Sequence, residues 1–147
     1  MSNQTDYEKA KTYSELRNAG KRDEAKKYRD LSDSDLKDAD LHGADLRSAD
    51  LRDANLKNAN LRGANLSYAN LRHALLDGAD LYLSDLRYAD LEGANLHGAN
   101  LHYADLIGAN LEDADLRGAN LEDAAFTGAK LTGATINIGN IQHKVKY

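Results

Sequence analysis

Cysteine, proline and tryptophan are missing from this 147-residue chain, and methionine and phenylalanine occur once each. Without cysteine there is no disulfide, no thiolate metal site and no cysteine nucleophile. Hydrophobic residues make up 41% of the chain, almost all of it Leu and Ala. No run approaches the roughly 18 apolar residues that a membrane span needs. The first 30 residues contain no apolar stretch of the kind a secretory signal requires. A cytoplasmic protein with no membrane partner is therefore expected.

A large excess of positive charge is also lacking. Net charge is −5, and it is unevenly spread. Residues 1–30 carry eight basic and six acidic groups, whereas residues 31–141 carry nine and eighteen. That balance excludes a strongly basic nucleic-acid binder, so no direct nucleic-acid contact is expected.

What the chain has in abundance is a repeat. From Leu31 a large apolar residue recurs every five positions through Ile141, without insertion or deletion. The 23 centres are 20 Leu plus Phe126, Ile136 and Ile141. Two residues before the centres, nineteen of the twenty slots from 39 to 134 hold Ala, and one holds Ser84. One residue before, 19 of 23 slots hold Asp or Asn; Leu75, Ala125, Lys130 and Thr135 are the exceptions. The unit reads A-(D/N)-L-x-x.

A helix cannot use this pattern. At about 100° per residue, five residues advance a net ~140°, so the leucines spiral and form no stripe. A heptad fails for the same reason. In an extended segment residues two apart share a side, so Ala and Leu face inward with Asp or Asn outward between them. The other two residues must turn a corner. Nine of the eleven glycines, Gly43, Gly63 and Gly93 among them, occupy the second corner position, where unusual dihedrals favour glycine. Four such sides close a square coil, and stacked coils pair their backbones at roughly 4.8 Å. The expected core is a ladder of Leu46, Leu66, Leu86, Leu106 and Phe126 beside Ala44, Ala64 and Ala104. This is solenoid architecture, stabilised by neighbouring coils.

Units such as Ala44-Asp45-Leu46-Arg47-Ser48 and Ala94-Asn95-Leu96-His97-Gly98 resemble those of the pentapeptide-repeat proteins. The resemblance covers residues 31–141. It implies an all-β solenoid, a right-handed quadrilateral β-helix of about 5.5 coils at four pentapeptides per coil. The expected division is a helical cap over 1–30, the repeat over 31–141 and a tail over 142–147.

Residues 5–29 read as helical. Asp6 or Thr5 is placed to N-cap, and Tyr7, Ala10, Tyr13 and Leu16 form an i, i+3 apolar row. Ala19-Gly20 reads as a stop and Arg22 to Tyr28 as a second short helix. At the other end no helical cap is visible. Either the tail folds over the last coil or a second molecule stacks there, so a monomer or a dimer through the C-terminal coil is expected.

Outward residues twenty apart form columns. Tyr68 stacks over Tyr88, and Leu83 over Tyr103 beside Tyr82. Leu75 replaces the usual outward Asp or Asn, and Ile107 is a further apolar group. Leu75, Tyr82, Leu83, Tyr103 and Ile107 are the candidate partner patch, since exposed apolar clusters mark interaction sites. Cross-strand stacking explains the same residues without a partner. His97 and His102 fall on adjacent, diverging faces, and His42 and His102 are three coils apart, so no metal site is expected. The column Asp45, Asn65, Asp85, Asp105 alternates charge with amide. No nucleophile elbow or phosphate loop is present, and so regular a solenoid is expected to offer no concave pocket. No enzyme, no catalytic residue and no cofactor are expected.

The expected function is a non-enzymatic protein–protein interaction or scaffold module with an unidentified protein partner. The resemblance adds an alternative, a DNA mimic that inhibits or protects DNA gyrase. A duplex as long as the repeat carries roughly 16 negative charges, far above the −9 of residues 31–141. A small enzyme or metal-binding protein is the remaining, disfavoured class.

Overall fold

The structure, a computed structural model, describes residues 3–137. The Ile141 centre, the 142–147 tail and the expected terminal contact lie outside the described residues.

From Asp30 to Thr135, parallel bridges join residues twenty apart: Asp45 to Asn65, Asn65 to Asp85, Asp85 to Asp105. Each bridge is one residue long, and successive bridges are five residues apart, so every twenty-residue turn has four walls. The bonds run along the stack. Leu46 N–H donates to Asn65 O (2.8 Å), and Asn65 N–H donates back to Ala44 O (2.9 Å). Both inward rows are shut off from solvent. Leu46, Leu66, Leu86, Leu106, Ala44, Ala64, Ala104 and Phe126 are all buried. Burying one such Leu stabilises by roughly 1.5–3 kcal/mol.

Each corner is a four-residue turn, closed for instance by Ala49 N–H to Leu46 O at 3.0 Å. Its third residue, Ser48, has φ +59° and its second has no positive φ, the signature of a type II turn. All 21 third positions from Asp33 to Gly133 have positive φ, and twelve of them are not glycine. Glycine therefore accounts for fewer than half of the corners. A left-handed residue with a Cβ costs roughly 1–2 kcal/mol, and the outward Asp or Asn offsets part of that. Its side chain accepts the N–H two residues on: Arg47 to Asp45 (3.2 Å), Ser67 to Asn65 (3.1 Å), Ile107 to Asp105 (3.1 Å). The Asp/Asn signature is thus turn chemistry. Several Asn amides also donate one coil back to a carboxylate, Asn60 to Asp40 and Asn100 to Asp80, both at 2.9 Å.

Before the coils come helix α1 (Asn3–Asn18), helix α2 (Arg22–Ala25) and a 3₁₀ turn over Lys26–Tyr28. Gly20 (φ +74°) breaks the chain between α1 and α2. Ala10 and Tyr13 are buried against the first coil, with Tyr7 and Leu16 partly buried beside them. The expected N-cap is corrected: α1 begins at Asn3 and takes in Thr5 and Asp6. The Asp6 carboxylate instead accepts the Asp35 N–H (2.9 Å), and the Ser14 hydroxyl accepts the Asp45 N–H (2.9 Å). Deeper in the stack the equivalent N–H groups bond a carbonyl 21 residues earlier, as Asn55 does to Ser34 O. For Asp35 and Asp45 those positions are Ser14 and Glu24, inside helices. Side chains of α1 replace the missing carbonyls. Tyr13 adds a hydroxyl bond to Arg47 O at 2.6 Å.

Candidate docking surface

The large exposed apolar side chains are Tyr68 (62% exposed), Leu83 (56%), Tyr88 (54%), Tyr103 (47%) and Leu75 (36%). Four of them, Tyr68, Leu83, Tyr88 and Tyr103, sit at left-handed corner positions with φ of 57–59°. They flank a single wall, the one that carries Asn65, Asp85 and Asp105 outward. One edge holds Tyr82, Leu83, His102 and Tyr103. The other holds Tyr68, Tyr88 and Ile107. A wall of three extended residues is ~10 Å wide.

On the first edge the Tyr82 and Tyr103 rings meet edge-on at 6.1 Å, and the His102 ring lies 4.0 Å from Tyr103. Arg62 covers the outer face of this group, 4.4 Å from the Tyr82 centroid. The His102 Nδ1 lies 2.9 Å from Glu122 O. On the second edge Tyr68 and Tyr88 stack at 5.2 Å and 17°. Tyr88 in turn lies over Gly108, where an added Cβ would meet its ring at 2.6 Å.

The expected patch is therefore regrouped. Tyr82, Leu83 and Tyr103 come together, and Ile107, half-buried, borders the same wall. Leu75 belongs to the bridge column of Asn55 and Asn95, two walls away and thus on the opposite side. Tyr68 and Tyr88 belong to the surface and were absent from the expected patch. Their twenty-residue spacing signals stacking, and only their shared wall with Leu83 connects them to it.

Between the two edges Arg87 donates twice to Asp85 (2.8 and 2.6 Å) and reaches Asp105 at 3.6 Å. The bonds from Arg87 hold the Asp85 carboxyl below the usual carboxylate range, and Asp85 raises the Arg87 guanidinium in turn. The neighbouring Asp123 charge, with loss of water, raises the Tyr103 hydroxyl. Asp85 and Asp105, with Glu122 and Asp123 at the first edge, outnumber Arg62 and Arg87 and leave the wall acidic, and residues 88–137 carry eight acidic against two basic side chains. Among the described residues no group of three His, Asp or Glu is arranged to hold a metal, and no helix is long and apolar enough to cross a membrane.

The expectation of no concave pocket is corrected at one place. Cavities of about 340, 260 and 240 Å³ lie where the helical segment meets the first coil. They arise because a helix laid on a square coil end leaves gaps that another coil would fill.

A family model for pentapeptide repeats matches in eight copies over residues 30–67, 64–102 and 94–133. The chain belongs to the pentapeptide-repeat family. Its fold is accordingly that family's right-handed quadrilateral β-helix, and proteins of this family are generally non-enzymatic structural or interaction modules. The pentapeptide-repeat protein Rfr23 of the cyanobacterium Cyanothece 51142 is 39% identical, with 62% of this chain and 66% of that one covered and a TM-score of 0.35. The pentapeptide-repeat protein alr5209 of Nostoc is 32% identical over 86% of this chain and 93% of that one, TM-score 0.38. QnrB1, a plasmid-mediated fluoroquinolone resistance protein, is 22% identical over 75% and 61%, TM-score 0.41. The chain thus spans just under two thirds of the length of Rfr23 and QnrB1. No curated protein matches.

Proposed function

We propose that this pentapeptide-repeat protein is a non-enzymatic interaction module that presents the wall between Leu83/Tyr103 and Tyr68/Tyr88 to a protein partner. About 5.5 stacked coils form its rigid body, and α1 and α2 cap the first coil. The carrying observation is that four large apolar residues stand exposed at corners where glycine, asparagine or aspartate fits with less strain. Stacking stabilises the Tyr68–Tyr88 pair by roughly 0.2–1 kcal/mol, which does not clearly exceed the cost of two left-handed tyrosines. Leu83 has no ring to stack. Folding alone therefore does not favour this set, and a bound partner supplies the missing gain. The acidic balance of the wall and of the coils beyond it suits a partner segment with apolar anchors flanked by Lys or Arg.

The test uses Leu83→Asn with Tyr103→Asn, changes that both left-handed positions accept. Partners are captured by in-cell cross-linking with the wild type and the double variant in the native host. The proposal expects a partner with a basic contact segment that is lost from the variant while the fold is unchanged by circular dichroism. Equal recovery by both proteins would eliminate this wall.

A further inference from the structure

A second feature stands apart from that wall. The coils pair nearly every arginine with a carboxylate: Arg52 with Asp50, Arg62 with Asp80, Arg72 with Asp90 and Glu92, Arg117 with Asp115. The junction of the helical segment with the first coil does not. There the 340 Å³ cavity is lined by Arg17, Arg22, Lys26 and Arg29 together with one acid, Asp23, and the Tyr13 side chain. Lys26 is matched by Asp23 at 2.7 Å. Among the described residues Arg22 and Arg29 make no ion pair. Arg17 is mostly buried, and its Nε has no hydrogen-bond partner. Its nearest carboxylate oxygen, on Asp45, is 3.7 Å away and already accepts from Arg47. A buried guanidinium N–H without an acceptor is costly and rare. Two guanidinium groups without a carboxylate partner, Arg22 and Arg29, line one cavity beside Arg17, whose only carboxylate is shared with Arg47, and they repel one another.

That repulsion is relieved by an anion in the cavity, and we propose that the cavity is a binding site for a diphosphate-bearing small molecule. Guanidinium forks take phosphate oxygens in pairs, so a diphosphate offers acceptors to Arg22 and Arg29 at once, with Arg17 lining the same cavity. The volume lies at the lower end of small-ligand sites. It accommodates a free diphosphate or the diphosphate end of a nucleotide, with the Tyr13 side chain beside it.

Full-length protein is titrated calorimetrically with pyrophosphate and with ADP at constant ionic strength, and amide signals are followed by NMR. Saturable binding is expected, with shifts centred on Arg17, Arg29 and Ser48. Tighter binding of ADP assigns the nucleotide as source; equal affinity assigns the free diphosphate. The variant Arg22→Gln with Arg29→Gln removes two exposed side chains, so its thermal stability is unchanged. It should bind roughly ten- to a hundredfold more weakly, the loss expected for one or two charge-assisted bonds. Arg117→Gln, distant from the cavity, should bind as wild type. Absence of saturable binding overturns the proposal, as does equal affinity in the double variant or an equal loss in Arg117→Gln.

Discussion

Leu83 and Ser84 are neighbours that break the repeat in opposite directions. Leu83 places a large exposed side chain at φ +57°. Relief of a left-handed Cβ is worth roughly 1–2 kcal/mol, and Leu83 loses little buried area in exchange. Leu83→Gly should therefore raise unfolding stability by about 1 kcal/mol in urea titration. A loss of stability would mean that Leu83 packs usefully and would weaken the case for a partner. Ser84 stands in the alanine row, buried, with a hydroxyl oxygen that has no partner. A buried unsatisfied hydroxyl costs about 1–3 kcal/mol, and alanine fills the same slot in nineteen other units. Ser84→Ala should stabilise by about 1 kcal/mol, read as a higher urea midpoint at unchanged m-value.

The Asp45 carboxylate lies between Arg47 of the first coil, which bonds it, and Arg17 of α1, 3.7 Å away. Burial pushes its carboxyl up, but bonds from the Arg47 guanidinium and N–H, with the charge of Arg17, outweigh that and hold it below the ordinary range. A carboxyl depressed in the folded state stabilises fully above its unfolded pKa of about 3.9 and loses that contribution as pH falls through the folded value. Acid should therefore destabilise the first coil and weaken its attraction to Arg17 of α1. In Asp45→Asn the stability slope below about pH 4 should flatten, and neutral-pH stability should drop by about 1.5–3 kcal/mol with the charge-assisted bonds. Urea titrations across acidic pH check both; an unchanged slope would mean that the Asp45 charge does not stabilise the first coil. Walls and corners were legible because a strict five-residue period leaves one way to bury Leu and Ala together. The helix contacts were not. Asp6 to Asp35 and Ser14 to Asp45 span 29 and 31 residues, outside any period, and Asp6 inside a helix reads as a capping residue. The left-handed tyrosines were equally hidden, since only nine of the 21 corners carry the glycine that announces them.

Along the stack each coil bonds only the coils before and after it. Such a molecule is quasi-one-dimensional, and its stability is a sum over neighbouring contacts. The middle coils have two neighbours, and the first has α1 on its outer side. In the last described coil burial already declines, with Ala129, Leu131, Ala134 and Ile136 only partly buried. Opening should therefore begin toward the C-terminal coils and propagate inward. Hydrogen exchange should find the slowest amides around Leu66 to Leu96 and progressively faster ones from Asn120 to Thr135. The same gradient should appear in core truncations. Leu86→Ala, in the middle, should cost about 2–5 kcal/mol, whereas Leu131→Ala, half-buried near the end, should cost clearly less. Uniform protection along the coils, with equal costs for the two truncations, would mean that the stack unfolds as one cooperative unit and that its last described coil is as well held as its centre.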